Sequence, residues 1–253
     1  MHEKFENIQA VIFDLGDTLI HGNFTAGATE TIWEEIYAQL INPTQEATIP
    51  ELALLRSAWQ EHVQTAMART WREKTEQEVE FMPLVRQAFR SAGIAQAEDE
   101  AFLRQVISLE HRLLYQRVVS VAPEAISTLE ELRQRGYKLG MVSNFCNLPE
   151  VAYQNIRQVG LLDYFDQTIL SCEVGLRKPA PAIYQKMLDR LGVAASTVLF
   201  VGDRLIEDVQ GPQKLGMRGV QTRQFRQDEP NPRIQPDAIV DRLDQILDLL
   251  ATD

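Results

Sequence analysis

Cysteine is almost missing from this chain: Cys146 and Cys172 are the only two in 253 residues. Two thiols build neither a disulfide framework nor a thiolate metal cage, so they read as half-buried bystanders and the chain as suited to a reducing cytoplasm. Basic charge is short as well. With 25 Lys and Arg against 36 Asp and Glu, the net charge of −11 repels nucleic acid and anionic membrane, and polyanions drop out as expected partners. No apolar run approaches the roughly 20 residues needed to cross a bilayer. No targeting signal is read in the polar start MHEKFENIQ, and neither an internal repeat nor a low-complexity tract is present.

What is present is an alternation. The short runs AVIFD, KLGMVSN, QTILS, TVLFVGD and RGVQT have strand character, and most are separated by segments of helical period. That βα pattern predicts an α/β fold with a Rossmann-like parallel sheet, whose ligands sit beyond the C-terminal strand ends. Those ends are polar: Asp14 closes the first run, Ser143 and Asn144 the second, Asp203 the fourth. The stretch RQFRQDEPNPRIQPD, 223 to 237, is interrupted by prolines and reads as a surface loop.

Residues 21 to 120 break the alternation. TETIWEEIYAQL, ELALLRSAWQEHVQTAMART and EAFLRQVISLEHRLLYQRV are amphipathic at helical spacing, with no convincing strand among them. They predict an all-helical cap domain inserted into a core made of residues 1–20 and 121–253. Trp33, Trp59 and Trp71 fall in these helices and read as cap packing. Of the histidines, His2, His62 and His111 lie away from any motif; His21, in LIHGNF, reads as part of the linker into the cap or as a substrate contact.

Taken singly, each polar strand end has two readings. Asp14 is either a loop cap or an aspartyl nucleophile or metal ligand. Asp203 faces the same choice, and Asp208 reaches the same point if its loop turns back. Carboxylates gathered with little basic charge near them call for a cation, and all-oxygen ligation suits Mg²⁺. Ser143 and Asn144 read as a plain turn or as a hydroxyl and backbone N–H groups offered to an anion. Lys178, in RKPAPAIY, is a solvated lysine or an ammonium that reaches the rim, with a helix starting near Pro181.

Their order is more telling. FDLGDT, VSN, RKPAPAIY and VGDRLIEDVQGPQKLGM resemble, in sequence and spacing, the four motifs of the haloacid dehalogenase superfamily, over residues 9 to about 221 and with a helical cap of the type that family inserts. The resemblance implies a magnesium-dependent hydrolase of small phosphorylated metabolites. Asp14 would attack phosphorus to give an aspartyl-phosphate, Ser143 would bind phosphoryl oxygens, and Lys178 would hold both nucleophile and phosphoryl group. Asp203 and Asp208 would anchor the metal beside Asp14, with the backbone carbonyl of Gly16 also reaching it.

Gly16 is the departure. Most phosphatases of that superfamily carry an acid/base Asp at this position, and Asp17 next to it projects differently. Loss of the proton donor favours substrates with good leaving groups. It also motivates two rivals: a 2-haloacid dehalogenase, whose halide needs no proton but whose last motif lacks the acid found here at Asp203, and a catalytically weak phosphate-binding relative. Phosphonate cleavage would need a cap lysine, and Lys74 is the only one. Arg204 is open between pairing with Glu207 or Asp208 and meeting a substrate anion.

Overall fold

The structure is a computed structural model describing residues 4–23, 26–41 and 49–251; His2 lies outside them. The chain divides into two units, one made of Met1–Gly22, Ser120–Phe145 and Ile156–Asp253, the other of Asn23–Val119 and Cys146–Asn155.

The second unit is helical: α1 (Ala26–Ile36), α2 (Ile49–Trp59), α3 (Thr65–Glu73), α4 (Phe81–Ser91) and α5 (Glu100–Arg117). In α5 the buried Leu103, Val106, Leu109 and Leu113 recur at three and four residue steps, the stripe a helix buries. Asp99 opens it, its carboxylate accepting the Phe102 N–H at 3.1 Å, an N-cap that satisfies one of the free donors of the first turn. Trp33 and Trp59 meet edge to face with centroids 4.7 Å apart, Phe81 adds a third ring, and Leu148 and Val151 join the same core. Trp33 and Trp59 therefore serve packing.

The first unit carries the strands β1 (Ala10–Phe13), β2 (Ile20–Gly22), β3 (Val119–Val121), β4 (Lys138–Ser143), β5 (Gln167–Leu170), β6 (Val198–Gly202), β7 (Arg218–Thr222) and β8 (Ala238–Val240). Six form one all-parallel sheet in the order β5-β4-β1-β6-β7-β8. This is the α/β Rossmann-like sheet that the alternation predicts. The short β2 and β3 pair separately; three residues each are too few to show a period, which is why the sequence offers no strand there. β1 and β6 are buried throughout, as central parallel strands covered on both faces must be. Connecting helices include α6 (Ala125–Gln134), α8 (Ser171–Val174) and α9 (Pro181–Leu191), while α7 (Pro149–Gln158) falls mostly in the helical unit. Pro181 takes the first position of α9, where its missing N–H costs nothing. From there Ile183, Tyr184 and Met187 pack on Ile12, Val142 and Phe200 of the sheet.

Register places the rim. Phe13 pairs with Met141 on one side and Val201 on the other. Asp14 thus leaves the sheet one residue before Ser143 on β4 and level with Gly202 on β6, its N–H still held by the Val201 carbonyl at 2.9 Å.

Candidate active site

Three carboxylates and one ammonium meet beyond this edge. Lys178 Nζ donates to Asp14 Oδ1 at 2.7 Å and to Asp208 Oδ1 at 2.6 Å, in a site where the lysine is almost fully buried. Burial alone would pull the ammonium pKa down; the charges and hydrogen bonds of Asp14 and Asp208 outweigh it and hold it above the usual lysine value. Asp14, Asp203 and Asp208 offer oxygens that all lie within 4.8 Å of one another.

Asp203 is the member left over. It is 1% exposed, and neither carboxylate oxygen takes a hydrogen bond among the described residues; Arg226 Nε stands 3.6 Å away as its nearest cation partner. A buried carboxylate without donors is costly. Burial first, then the charges of Asp208 and Asp14, drive its pKa well above the ordinary carboxylate range. Asp208 is raised as well, by burial, with Lys178 partly offsetting the effect. Three crowded oxygen donors, one of them unsatisfied, fit a hard divalent cation with room for further oxygen ligands, and Mg²⁺ meets that description.

Local structure explains the convergence. After β6 the chain turns back through Leu205–Gln210, a wide helical turn closed by Gly211 N–H on the Ile206 carbonyl. Asp208 returns over Gly202, and its Oδ2 accepts the Arg204 N–H at 3.0 Å. A Cβ at Gly202 would overlap the Asp208 carboxyl, so glycine is what lets the side chain lie there. Arg204 thus meets Asp208 through its backbone N–H, and its side-chain charge acts on Asp203.

Ser143 ends β4 and is buried at the same edge. Asn144 has a different task for its side chain. Nδ2 donates to the Lys178 carbonyl at 2.9 Å, and Oδ1 accepts the Lys178 N–H at 2.7 Å. Both ends of the carboxamide clamp the lysine backbone.

Gly16 has an ordinary φ, and a Cβ added there meets nothing within 4 Å. Neither backbone conformation nor crowding requires glycine here, so the space beside it is open. Asp17 has φ 53°, in the left-handed region that Asp tolerates better than most residues, and its Oδ1 accepts from His21 Nδ1 at 2.8 Å. Lys74 ends α3 within the helical unit.

The sequence pattern does not point to Phe225, Arg226 or Asp228. They lie in the proline-interrupted segment expected to be only a surface loop, yet the Leu205 N–H donates to Asp228 Oδ2 at 3.0 Å, and Arg226 lies between Asp228 and Asp203. The available signal is positional: the segment begins at the C-terminal end of β7, on the same rim as the other motifs.

The family model for haloacid dehalogenase-like hydrolases matches residues 8–216. A haloacid dehalogenase-like hydrolase domain-containing protein 3 of Danio rerio is 28% identical over 94% of this chain and 95% of its own length. A glyceraldehyde 3-phosphate phosphatase of Methanopyrus kandleri is 34% identical over 51% of this chain, which spans about half of that relative, 55%. Among solved structures, a 2-haloacid dehalogenase of Pseudomonas syringae pv. Tomato DC3000 superposes with a TM-score of 0.68, covering 96% of this chain and 97% of the other at 24% identity, a likeness of fold. Among the described residues, no helix is long and apolar enough to cross a membrane.

Proposed function

Because the chain belongs to the haloacid dehalogenase-like hydrolases, we propose that it is a magnesium-dependent phosphohydrolase acting on a small phosphorylated metabolite. The observation that carries this reading is Asp203, a buried carboxylate with no hydrogen-bond donor beside two others. A halide displaced from carbon needs no such cation site; a phosphoryl group does. The phosphatase name of the archaeal relative supports the same choice.

Asp14 is the nucleophile: a carboxylate oxygen attacks phosphorus, the ester oxygen leaves, and an aspartyl-phosphate forms that water then cleaves. Lys178, bonded to Asp14, aligns the nucleophile and neutralises the phosphoryl oxygens, while Ser143 donates its hydroxyl to one of them. Asn144 fixes Lys178 through its backbone. Asp203, Asp208, Asp14 and the Gly16 carbonyl would hold Mg²⁺, which when bound supplies charge to the transferring group and relieves the crowded carboxylates.

Position 16 has no side chain to move a proton. General acid help is typically worth about 10²–10⁴ in rate, so aryl and acyl phosphates, whose oxygen departs unprotonated, depend least on a proton supplied from elsewhere and alkyl phosphates depend on it most. The test measures phosphate release from an aryl and an alkyl ester with Mg²⁺, with Asp14→Asn as blank and chloride release from a 2-haloacid in parallel. Mg²⁺-dependent phosphate release supports the reading; metal-independent chloride release with no phosphate released refutes it.

A further inference from the structure

We propose that His21, oriented by Asp17, is the acid/base that serves the leaving oxygen in place of a side chain at position 16. This rests on the phosphohydrolase reading above. Three observations tie the imidazole to the loop that follows Asp14 and to the carboxylate cluster.

Gly16 forms an isolated bridge with Ile20, which holds the backbone just before His21 against the loop that follows Asp14, and the space at the Gly16 Cβ is open. The left-handed turn at Asp17 brings its carboxylate to His21 Nδ1; a carboxylate only accepts, so Nδ1–H donates and Nε2 is the nitrogen left to carry a mobile proton. The other face of the rim fixes the ring plane. Phe225 stacks on His21 with centroids 4.8 Å apart and planes 9° from parallel, and the next residue, Arg226, reaches Asp203 of the carboxylate cluster. The ring is therefore tied to the site from both sides, through the loop that follows Asp14 and through the loop that follows β7.

The groups facing the imidazole are Asp17 from its own loop and Phe225, with Arg226 beside it, from the loop after β7; Ser120 Oγ of β3 donates to the His21 carbonyl rather than to the ring. The pair keeps partial exposure, 38% for the His21 side chain and 35% for Asp17, which lets the ring exchange protons with water, unlike the sealed Lys178.

The step balances. As Asp14 Oδ bonds to phosphorus and the ester P–O bond breaks, Nε2–H of the imidazolium passes its proton to the departing oxygen. The neutral ring then takes a proton from water as that water attacks phosphorus, the aspartyl P–O bond breaks, and phosphate leaves with Asp14 and the imidazolium restored.

The experiment compares His21→Asn with the parent protein on an aryl and an alkyl phosphate, with Mg²⁺. The expected result is a loss of about 10²-fold in kcat on the alkyl ester with less than about threefold on the aryl ester. Asp17→Asn, a positioning change, lowers kcat on the alkyl ester with KM unchanged and spares the aryl ester. Gly16→Asp placed in His21→Asn restores the alkyl reaction, since a Cβ added at position 16 meets nothing within 4 Å. Equal losses on both esters, or none on either, overturn the assignment while leaving the phosphohydrolase reading in place. No Mg²⁺-dependent turnover of either ester by the parent protein removes both.

Discussion

The two units handle charge in opposite ways. In the helical unit the core is apolar and aromatic, and the ion pairs lie outside: Arg90 with Glu98, Arg104 with Glu100 and Glu150, Arg56 with Glu30. Such exposed pairs are screened by water and add little. In the sheet unit Asp14, Lys178, Asp203 and Asp208 are all buried at one strand edge. Burying that many charges, one of them without a donor, does not stabilise a fold; it marks where the chain has traded stability for chemistry. The helical unit has one exception, the neighbours Glu110 and His111, whose burial raises the acid to about 8 and lowers the base to about 4.

This contrast can be broken most sharply at Lys178. Lys178→Met leaves three buried carboxylates with no ammonium among them, and removing one partner of a buried pair costs about 3–5 kcal/mol. Denaturant unfolding without metal should show that loss, and Mg²⁺ should recover part of it by binding the folded form alone. An unchanged midpoint would mean that the cluster is not electrostatically strained.

A smaller effect separates the exception in the helical unit. Folded Glu110 keeps a proton that the unfolded chain releases near 4.5, so stability is full below that pH and falls as pH rises towards 8. His111 acts in the other direction: the unfolded chain takes a proton near 6.5 that the folded one refuses down to about 4, so stability falls as pH drops through that window. Glu110→Gln should therefore match the parent at pH 4 and exceed it at pH 9, by on the order of 2 kcal/mol. Equal stabilities at pH 9 would mean that burial does not penalise the charged form of Glu110.

The least effect is expected where charge is only decoration. Arg90→Ala removes a bidentate contact to Glu98 on the surface and should leave Tm within error in moderate salt. A clear drop would show that the pairs bordering α4 act as a network.

The sheet and its polar rim were legible because a buried parallel strand is a nearly continuous apolar run, and a polar residue at its end stands out against it. Asp14, Ser143 and Asp203 each end such a run, and Asp208 and Lys178 follow at loop distance. Side-chain partnerships have no such period. Nothing in VSN tells that Asn144 spends its carboxamide on Lys178, and nothing in LGDTLIH tells that Asp17 meets His21. Both depend on backbone turns rather than on composition. Phe225 and Arg226 were hidden for the same reason, since a loop rich in proline reads as surface whichever way it folds back.

The account turns on Asp14 accepting a phosphoryl group. The most direct measurement is an acid quench of steady-state turnover on an aryl phosphate with Mg²⁺, followed by peptide mass analysis. The prediction is a phosphoryl adduct on the peptide containing Asp14, present only with substrate and metal. Phosphate released at the parent rate with the adduct on another residue, or by Asp14→Asn, would contradict it.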